Sequence, residues 1–304
     1  MNSLEKKSSF IAIVGVPNVG KSSLINSLMG QKISIVSSKP QTTRTRILGV
    51  LTKNETQLIF IDTPGVHKPK TELGKYMEKS IFSSVSSVDT AILVVECNRA
   101  IKDEELKLLD KLKTFDIPII LVINKIDLLN DKTKLFETIS YFSNLHDFKS
   151  IIPISAQKKD GLDSLLNELI KMSTTGVHFF DDDALTDQPE RAIVAEIIRE
   201  KILRSLDKEI PHGVAVAIDL MRERENKAII DIDATIFCDK ENHKRIIIGK
   251  NGSMLKKIGT MARYDIEPFL DSKINLKLFI KVKENWKNKI TLLKNFGYDS
   301  NNLK

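Results

Sequence analysis

A glycine-rich string near the start of the chain restricts its fold more than any other feature. Residues 15–22 read Gly-Val-Pro-Asn-Val-Gly-Lys-Ser, which fits the pattern G-x-x-x-x-G-K-[ST]. The string follows Phe10–Val14, an apolar run with the β-branched composition of a strand, and it precedes a helical segment. A phosphate-binding loop between a strand and a helix predicts an α/β fold of the P-loop type, with a mostly parallel sheet and helices on both faces.

This loop binds phosphate through its backbone as well as its side chains. Glycines let the chain wrap phosphate groups, and N–H groups at the start of the following helix face negative charge. We expect Lys21 to reach the β- and γ-phosphates and the Ser22 hydroxyl to ligate Mg²⁺. The predicted nucleotide contacts here are Gly15, Val16, Pro17, Asn18, Val19, Gly20, Lys21, Ser22 and Ser23.

A second motif, Asp62-Thr63-Pro64-Gly65, directly follows the apolar run Leu58–Ile61. Asp62 is predicted to reach Mg²⁺ through water, and the Gly65 N–H to contact the γ-phosphate. All four motif residues are candidate nucleotide contacts. Ile47–Thr52 is predicted as an additional strand, antiparallel to Leu58–Ile61.

Two further motifs predict which base is bound. Asn124-Lys125-Ile126-Asp127 follows the run Ile119–Ile123, and Ser155-Ala156 follows Ile151–Ile154. The Asp127 carboxylate can accept two hydrogen bonds from guanine, whereas adenine lacks that pair of donors. The Ala156 N–H is expected near guanine O6. Because ligands of open α/β sheets bind at the carboxyl ends of the strands, these motifs together predict a site for GTP and GDP.

The catalytic residues are less distinct than the binding residues. Val66 follows Gly65, where Ras-like proteins carry a glutamine that orients the attacking water. Hydrolysis is therefore expected to be slow and to depend on Mg²⁺, Lys21, backbone donors such as Gly65 and a supplied cation. The neighbouring His67 fits a solvated loop residue better than a catalytic one.

The segment Gln41-Thr42-Thr43-Arg44 lies where the first switch of such proteins belongs. One threonine should bind Mg²⁺ and the γ-phosphate, and we favour Thr43 over Thr42 as the metal ligand beside Ser22 and Asp62. Three roles stay open for Arg44: an arginine finger, an effector contact or a solvated side chain.

A domain boundary is predicted where the alternation of strands and helices stops. The GTPase domain is expected over residues 1–175, and the acidic, proline-bearing segment 176–188 is interpreted as a linker. Residues 189–304 then show an α-β-β-α-α-β order with a C-terminal helix. The strands of this second domain are predicted at Gly213–Met221, Lys227–Phe237 and Ile274–Val282.

A Gly-x-x-Gly loop, Gly249-Lys250-Asn251-Gly252, connects two helices of this second domain. This order of elements is that of a type II KH domain, whose loop grips about four nucleotides of RNA. Residues 240–294 contain 14 lysines and arginines against 5 acidic residues, a charge that favours RNA. The predicted RNA contacts are Ile248, Gly249, Lys250, Asn251, Gly252, Lys256 and Lys257. Ile246–Ile248 and the strand Lys227–Phe237 are expected to form an apolar floor for the bases, and Trp286 to pack in the core.

Two competing functions are considered. A metabolic P-loop kinase is disfavoured by Asn124-Lys-Ile-Asp127 and by the lack of an insertion that would form an acceptor lid. An RNA-binding protein with a vestigial nucleotide site is disfavoured because the motif set is complete. A GTPase switch coupled to RNA is the reading we adopt.

The motifs together closely resemble the bacterial Era GTPase family over essentially the full length. The resemblance rests on residues 15–22, 41–44, 62–65, 124–127, 154–156, 195–201, 210–212, 248–252 and 281–286. It implies a factor for small ribosomal subunit assembly that binds 16S rRNA near its 3′ end; the alternative is a P-loop GTPase acting in tRNA modification or large-subunit assembly. It also implies a monomer in the cytoplasm with peripheral contact at the inner face of the plasma membrane. Asn18 matches the residue that holds K⁺ in related GTPases lacking the glutamine, whereas Asn251 departs from the small residue usual in the family.

Overall fold

A computed structural model describes residues 5–39, 41–66, 69–207, 210–225 and 228–299. The first part of the chain confirms the predicted α/β class. Its strands are β1 (Lys7–Val14), β2 (Ile47–Lys53), β3 (Thr56–Asp62), β4 (Thr90–Glu96), β5 (Ile119–Asn124), β6 (Ser150–Pro153) and β7 (Thr174–Thr175). Its helices are α1 (Lys21–Met29), α2 (Glu72–Val85), α3 (Asp103–Leu112), α4 (Thr133–Ser143) and α5 (Leu162–Met172).

The strand order β2-β3-β1-β4-β5-β6 brings the nucleotide motifs to one edge of the sheet. Strands β1 and β3 to β6 run parallel, and β2 pairs antiparallel with β3, which confirms the sequence-based expectation. In the β1–β3 register Ile13 lies beside Asp62. The phosphate-binding loop and the Asp62 motif therefore leave neighbouring strands at the same end of the sheet.

Helices on both faces explain why the central strands are apolar without alternation. In β1, Ile11 and Ile13 belong to one core cluster, which includes Leu24 of α1. Ala12 and Val14 point the other way, into a second cluster that includes Ile81 of α2. Both faces of β1 are buried from Ile11 to Val14, so this part of the strand is apolar on both sides.

The predicted linker lies along the GTPase domain and is hydrogen-bonded to it. Val50 of β2 donates its backbone N–H to Leu185 O at 2.9 Å, and Thr186 Oγ1 donates to Leu48 O at 2.6 Å. At the start of the predicted linker, Gly176 N donates to Lys6 O at 2.9 Å. An exposed strand edge carries unpaired backbone groups, and this segment covers part of the β2 edge.

The second part of the chain has the α-β-β-α-α-β order of a KH domain and confirms that prediction. Its elements are α6 (Glu190–Ser205), β8 (Val214–Glu223), β9 (Ile229–Cys238), α7 (Glu241–Ile248), α8 (Ser253–Phe269), β10 (Lys273–Val282) and α9 (Ile290–Asn295). Strand β9 is central, antiparallel to β8 and parallel to β10. Lys227, predicted as the first residue of β9, lies outside the described residues.

The helices of this part cover one face of its three-stranded sheet. Val194 and Ile198 of α6 and Ile258 of α8 pack against Ile232 and Ile236 of β9 in one buried cluster. Within the described ranges, no helix has both the length and the apolar composition needed to cross a membrane.

Trp286 connects the C-terminal segment to both parts of the chain. Its side chain is 0% exposed, and its Nε1–H donates to Gly213 O at 3.0 Å. The same cluster contains Tyr76 and Met77 of α2 and Tyr298 near the C-terminus. The expectation that Trp286 is a core residue is therefore confirmed, and the core it joins includes residues of the GTPase domain.

Candidate functional site

A cavity of about 260 Å³ lies at the carboxyl end of the first sheet. It is bordered by the phosphate-binding loop, the switch segment and the loop after β3. Its lining includes Pro17, Asn18, Gly20, Lys21, Ser22, Ser23, Thr42, Thr43, Gly65 and Lys125. The structure thus brings together residues from four separate sequence motifs.

The conformation of the phosphate-binding loop requires glycine at two positions. Gly20 has φ 101°, and a Cβ there would lie 2.2 Å from Asn124 Nδ2. A Cβ on Gly15 would lie 2.6 Å from Val94 O. The loop therefore passes closer to β4 and to Asn124 than any side chain would allow.

Lys21 is buried beneath this loop. Its Nζ donates to Gly15 O at 2.9 Å and to Val16 O at 3.1 Å, which holds the ammonium group inside the loop. Burial lowers the pKa of Lys21 to about 8, and the nearby Asp62 carboxylate partly opposes this shift. A cation held in this way has little freedom to leave the phosphate site.

Asp62 is the polar centre of the site. Its Oδ2 accepts hydrogen bonds from Ser22 Oγ at 2.9 Å, Ser34 Oγ at 2.8 Å and Thr43 Oγ1 at 3.4 Å. Its Oδ1 is buried and has no hydrogen-bond partner among the described residues. Burial raises the pKa of Asp62, and Lys21 together with these hydroxyl donors opposes the shift.

These oxygen atoms suit a divalent cation. Mg²⁺ prefers hard oxygen ligands and retains several waters, and an unpartnered carboxylate oxygen beside two hydroxyls offers such ligands. Ser22, Thr43 and Asp62 therefore fit the magnesium ion that GTPases use. Ser34 was not among the sequence-based candidates, since nothing in its local sequence distinguishes it from other loop serines.

The two switch threonines have different surroundings. Thr43 Oγ1 lies 2.8 Å from Ser22 Oγ, beside Asp62. Thr42 Oγ1 instead donates to Lys39 O at 2.6 Å, within its own loop. Of the two hydroxyl groups, only that of Thr43 is among the candidate metal ligands.

The loop after β3 packs against the phosphate-binding loop. A Cβ on Gly65 would lie 3.0 Å from Pro17, and Val66 N donates to Gly15 O at 3.2 Å. Thr63 Oγ1 donates to Ile13 O at 2.8 Å, which anchors the start of this loop to β1, and Pro64 is buried. His67, weighed as a catalytic residue, lies outside the described residues.

Asn124 connects the phosphate end of the site to the base end. Its Nδ2 donates to Val19 O at 2.9 Å, and its Oδ1 accepts from Ala156 N at 3.1 Å. Because one side chain bonds both loops, the distance between them is set by the end of β5.

Asp127 lies beyond Asn124, where a base would be read. Ser155 Oγ donates to Asp127 Oδ1 at 2.5 Å, which orients the carboxylate. Lys125, with φ 67°, turns its side chain back to Glu96, with 2.8 Å between Nζ and Oε2. The carboxylate, the serine and the Ala156 N–H thus lie at one end of the site, although they come from motifs 28 or more residues apart.

Arg44 leaves the switch segment and enters the second domain. It is 1% exposed; Nη1 donates to Val214 O at 2.6 Å and Nη2 to His212 O at 3.1 Å. The guanidinium carbon lies 5.7 Å from the centre of the Trp286 ring. Arg44 is therefore not a solvated side chain, and its contact with the second domain of the same chain was not among the three roles left open for it.

An ionic cluster makes a second contact between the switch region and the second domain. Glu200 of α6 is fully buried; it accepts a hydrogen bond from Val36 N at 3.0 Å and pairs with Lys32 at 2.6 Å. Lys32 also pairs with Asp265 of α8 at 2.6 Å. Arg199 of α6 donates to Thr42 O. Helices α6 and α8 are thus bonded directly to the loops beside the metal ligands.

The Gly-x-x-Gly loop joins α7 to α8 with three residues at positive φ. Gly249 has φ 74° and ψ 175°, and a Cβ there would lie 2.7 Å from Met254 Cβ. Gly252 has φ 77° and ψ 7°, and no atom lies within 4 Å of its missing Cβ. Asn251, the departure from the family pattern, has φ 51°, a conformation that asparagine tolerates.

A groove of about 460 Å³ runs from this loop between α8 and β10. It is lined by Gly252, Leu255, Lys256, Gly259, Thr260, Arg263, Ile274, Asn275, Leu276 and Leu278. The expectation that β9 forms its floor was wrong, because β9 is the central strand and its inward side chains are buried beneath the helices.

The predicted RNA contacts are distributed unevenly around this groove. Lys256 lines it, and the exposed Lys250 and Asn251 lie in the loop at its end. Lys257 is exposed but is not among the lining residues, and Ile248 is half-buried at the end of α7. Arg263 and Asn275 were missed: Arg263 lies two turns after Lys256 on the same face of α8, and the place of Asn275 follows from the pairing of β10 with β9.

Comparison with known proteins identifies both parts of the chain. A family model described as "50S ribosome-binding GTPase" matches residues 10–125, and one described as "KH domain" matches residues 209–287. GTPase Era of Ruminiclostridium cellulolyticum is 51% identical over 97% of this chain and 98% of its own length. GTPase Era of Clostridioides difficile is 49% identical over 96% of this chain and 99% of its own length.

Two solved structures share the fold over almost the whole chain. A variant of Aquifex aeolicus Era bound to GDP and AlF₄⁻ gives a TM-score of 0.93 at 37% identity, and the match covers 96% of this chain and 99% of that one. A structure of Era in complex with MgGDPNP and nucleotides 1506–1542 of 16S ribosomal RNA also gives a TM-score of 0.93 at 37% identity. This match likewise covers 96% of this chain and 99% of that one.

These relatives extend over both domains, so the agreement is not limited to the widespread P-loop fold. The cavity at the sheet edge is lined by residues expected to contact the phosphates and Mg²⁺, among them Lys21, Ser22 and Thr43, and the second domain carries the Gly-x-x-Gly loop. The chain therefore belongs to the Era family of GTPases, which use Mg²⁺ to hydrolyse GTP and carry a KH domain after the GTPase domain.

Proposed function

We propose that this GTPase binds 16S rRNA near its 3′ end and uses the state of its nucleotide to control a step in small ribosomal subunit assembly. The observation that carries the proposal is the direct bonding of the switch segment to the KH domain through Arg44. The RNA is assigned by the relative whose complex contains nucleotides 1506–1542 of 16S ribosomal RNA.

The assigned roles follow from the contacts in the site. Lys21 and the Gly65 N–H act on the γ-phosphate, and Ser22, Thr43 and Asp62 hold Mg²⁺. The metal ion neutralises charge on the phosphates when it is bound. Asp127, Ser155 and Ala156 select guanine, and Asn124 and Lys125 support them. Val66 has no group that can orient water, so turnover is slow compared with the roughly 1–100 s⁻¹ of kinases.

Coupling between nucleotide and RNA follows from adjacent residues in the switch. Thr43 Oγ1 is 2.8 Å from Ser22 Oγ, whereas Arg44 is buried against the backbone of the KH domain. A change in position of Thr43 between GTP and GDP therefore cannot leave Arg44 unaffected. Glu200 transmits the same change from Val36 to α6 and, through Lys32, to Asp265 on the helix that lines the groove.

The RNA assignment is tested by comparing ligands. The purified chain should bind a single-stranded fragment of the 16S rRNA 3′ end more tightly with a non-hydrolysable GTP analogue than with GDP, in fluorescence anisotropy. Fragments of 23S rRNA and whole tRNA serve as competitors, since the matching GTPase family model carries a 50S description. Stronger binding of either competitor would contradict the small-subunit assignment and support the alternative in large-subunit assembly or tRNA modification.

Asn18 is proposed to hold K⁺ in place of an arginine finger. Its Nδ2 donates to Ser38 O at 2.7 Å, which connects the phosphate-binding loop to the switch and leaves the side-chain oxygen as an acceptor. An arginine finger contributes about 10³–10⁵-fold in rate. We expect GTP hydrolysis to slow at least about tenfold when K⁺ is replaced by Na⁺ at equal ionic strength.

The matching variant is Asn18→Ala, which should hydrolyse GTP at one slow rate in either salt and still bind GDP. Asn144→Ala, at an exposed position beyond α4, should retain the wild-type difference. Phosphate release is measured in both salts. Equal rates for the wild-type protein in K⁺ and Na⁺ would refute the proposal that Asn18 holds K⁺.

We also infer a monomer in the cytoplasm that makes peripheral contact with the inner face of the plasma membrane. The support for this is the resemblance to the Era family and the net charge of +7, which favours an anionic lipid surface.

A further inference from the structure

Strand β10 has a second face, which meets the KH groove at Asn275 and continues beyond it. Leu276, Leu278 and Ile280 pack toward the helices in the core of the domain. Side chains alternate along a strand, so Lys277, Phe279 and Lys281 point to the opposite side of the sheet. All three are exposed.

Phe279 is the most informative of these residues. Its side chain is 47% exposed, and it lies two positions from a lysine in each direction. With a strand rise of about 3.3 Å per residue, each lysine is about 6.6 Å along the strand from the aromatic ring. In the part of the chain that the structure describes, neither Lys277 nor Lys281 takes part in an ion pair.

The carboxylates on this face are largely engaged elsewhere. Asp231 accepts two bonds of 2.6 Å from Arg224 and one of 2.7 Å from Asn275. Asp219 accepts a bond of 2.6 Å from Thr235. Asp233, beside Lys277, is the remaining carboxylate, and the exposed Arg222 lies on the same face. The field around Phe279 is therefore net positive, which suits a polyanion.

Protection of a sheet edge does not account for this arrangement. Lysines on an edge strand hinder pairing with another chain, but a half-exposed phenylalanine between them would favour it. Single exposed apolar residues are common on protein surfaces. This one, however, stands among unpaired cations on the strand whose other face lines the groove. Aromatic rings flanked by cations are how proteins bind single-stranded nucleic acid without regard to sequence.

We propose that the outer surface of β10, formed by Lys277, Phe279 and Lys281, is a second contact for single-stranded RNA. The groove itself holds about four nucleotides. A strand that leaves the groove crosses β10 and stacks a base on Phe279, while its phosphates lie beside the two lysines. This inference rests on the proposed RNA-binding function and lengthens the RNA site of the KH domain.

The test compares two RNAs on one pair of proteins. A four-nucleotide RNA occupies only the groove, whereas a ten-nucleotide single strand extends past it. Phe279→Ala should weaken binding of the longer RNA about tenfold, because one stacked base is lost, and leave binding of the shorter RNA unchanged. Phe279→Trp should restore binding of the longer RNA, because tryptophan also offers an aromatic ring for stacking. Fluorescence anisotropy with end-labelled RNAs provides both affinities.

The lysines are tested through the salt dependence. Replacing Lys277 and Lys281 with glutamine should lower the slope of log affinity against log salt by about 1.4 for the longer RNA, because each phosphate contact on a single strand adds about 0.7. For the shorter RNA the slope should stay the same.

Phe136→Ala is the matched control, since Phe136 on α4 is 67% exposed and lies in the GTPase domain. It should change neither affinity. Equal effects of Phe279→Ala on both RNAs, or no effect on either, would overturn the second contact while the groove remains. If the wild-type protein binds neither RNA, the proposed RNA-binding function itself fails.

Discussion

Replacing Asp127 with asparagine is expected to lower the affinity for GTP by at least about a hundredfold and to make xanthosine triphosphate the preferred nucleotide. The carboxylate accepts hydrogen bonds from N1–H and the 2-amino group of guanine, and an amide cannot accept both. Xanthine carries an oxygen at position 2, which can accept a bond from the new amide nitrogen. The change therefore reverses a donor–acceptor pattern without altering size.

The geometry around Asp127 explains why the effect should be large. Ser155 Oγ, 2.5 Å away, holds the carboxylate in one orientation, so the base meets a preset acceptor. Ser155→Ala should cost less, because it removes the orienting bond and keeps the charge. Titration calorimetry of both variants with GTP and xanthosine triphosphate separates the two effects.

Asp110→Asn is a suitable control, since Asp110 lies on α3 with 72% of its side chain exposed. It should bind GTP like the wild type. An Asp127→Asn protein that still prefers GTP would refute the assignment of the base-binding residue and leave the nucleotide selectivity without an explanation.

The nucleotide motifs were predictable because their chemistry is local. Gly15 and Gly20 are needed for a loop conformation that the string itself encodes, and Lys21 and Ser22 follow at fixed positions on α1. Asp62 could be placed because a parallel strand ends directly before it. For such residues, spacing along the chain nearly determines position in space.

Ser34 and Arg44 show where that reasoning stops. Ser34 reaches Asp62 only because its loop turns back after α1, where Asn26 accepts bonds from two backbone N–H groups of that loop. The burial of Arg44 depends on Val214 and His212, about 170 residues away along the chain. Neither contact has a local signal, since each is produced by the packing of distant segments.

The prediction that β9 borders the groove was wrong for a related reason. Both β9 and β10 alternate apolar and polar residues, and alternation does not reveal which strand is central. Parallel pairing between β10 and β9 leaves β10 at the edge, beside α8. The sequence could therefore predict a KH domain and its loop but not the strand that borders the RNA.

Replacing Gly249 with aspartate should abolish RNA binding and leave GTP hydrolysis within about twofold of the wild type. The backbone at Gly249, with φ 74° and ψ 175°, lies in a region essentially limited to glycine. A Cβ there would also lie 2.8 Å from Met254 N, at the start of α8. The loop must move to accept any side chain, and the new charge would repel phosphate as well.

Gly252 allows conformation and charge to be separated. Its φ of 77° and ψ of 7° are tolerated by asparagine, and no atom lies within 4 Å of the added Cβ. Gly252→Asn should therefore keep the loop and most RNA binding, whereas Gly252→Asp keeps the loop but places a negative charge where the phosphate passes. Gly249→Asn should fail like Gly249→Asp, because its defect is conformational.

Filter binding with the four variants, run beside phosphate release, gives both measurements on the same samples. The nucleotide site shares no residue with this loop, so all four proteins should hydrolyse GTP in the absence of RNA. If the asparagine and aspartate variants at Gly252 bind RNA equally, no phosphate passes that residue. If Gly249→Asp binds as the wild type does, the RNA does not use the loop, and the groove between α8 and β10 loses its role.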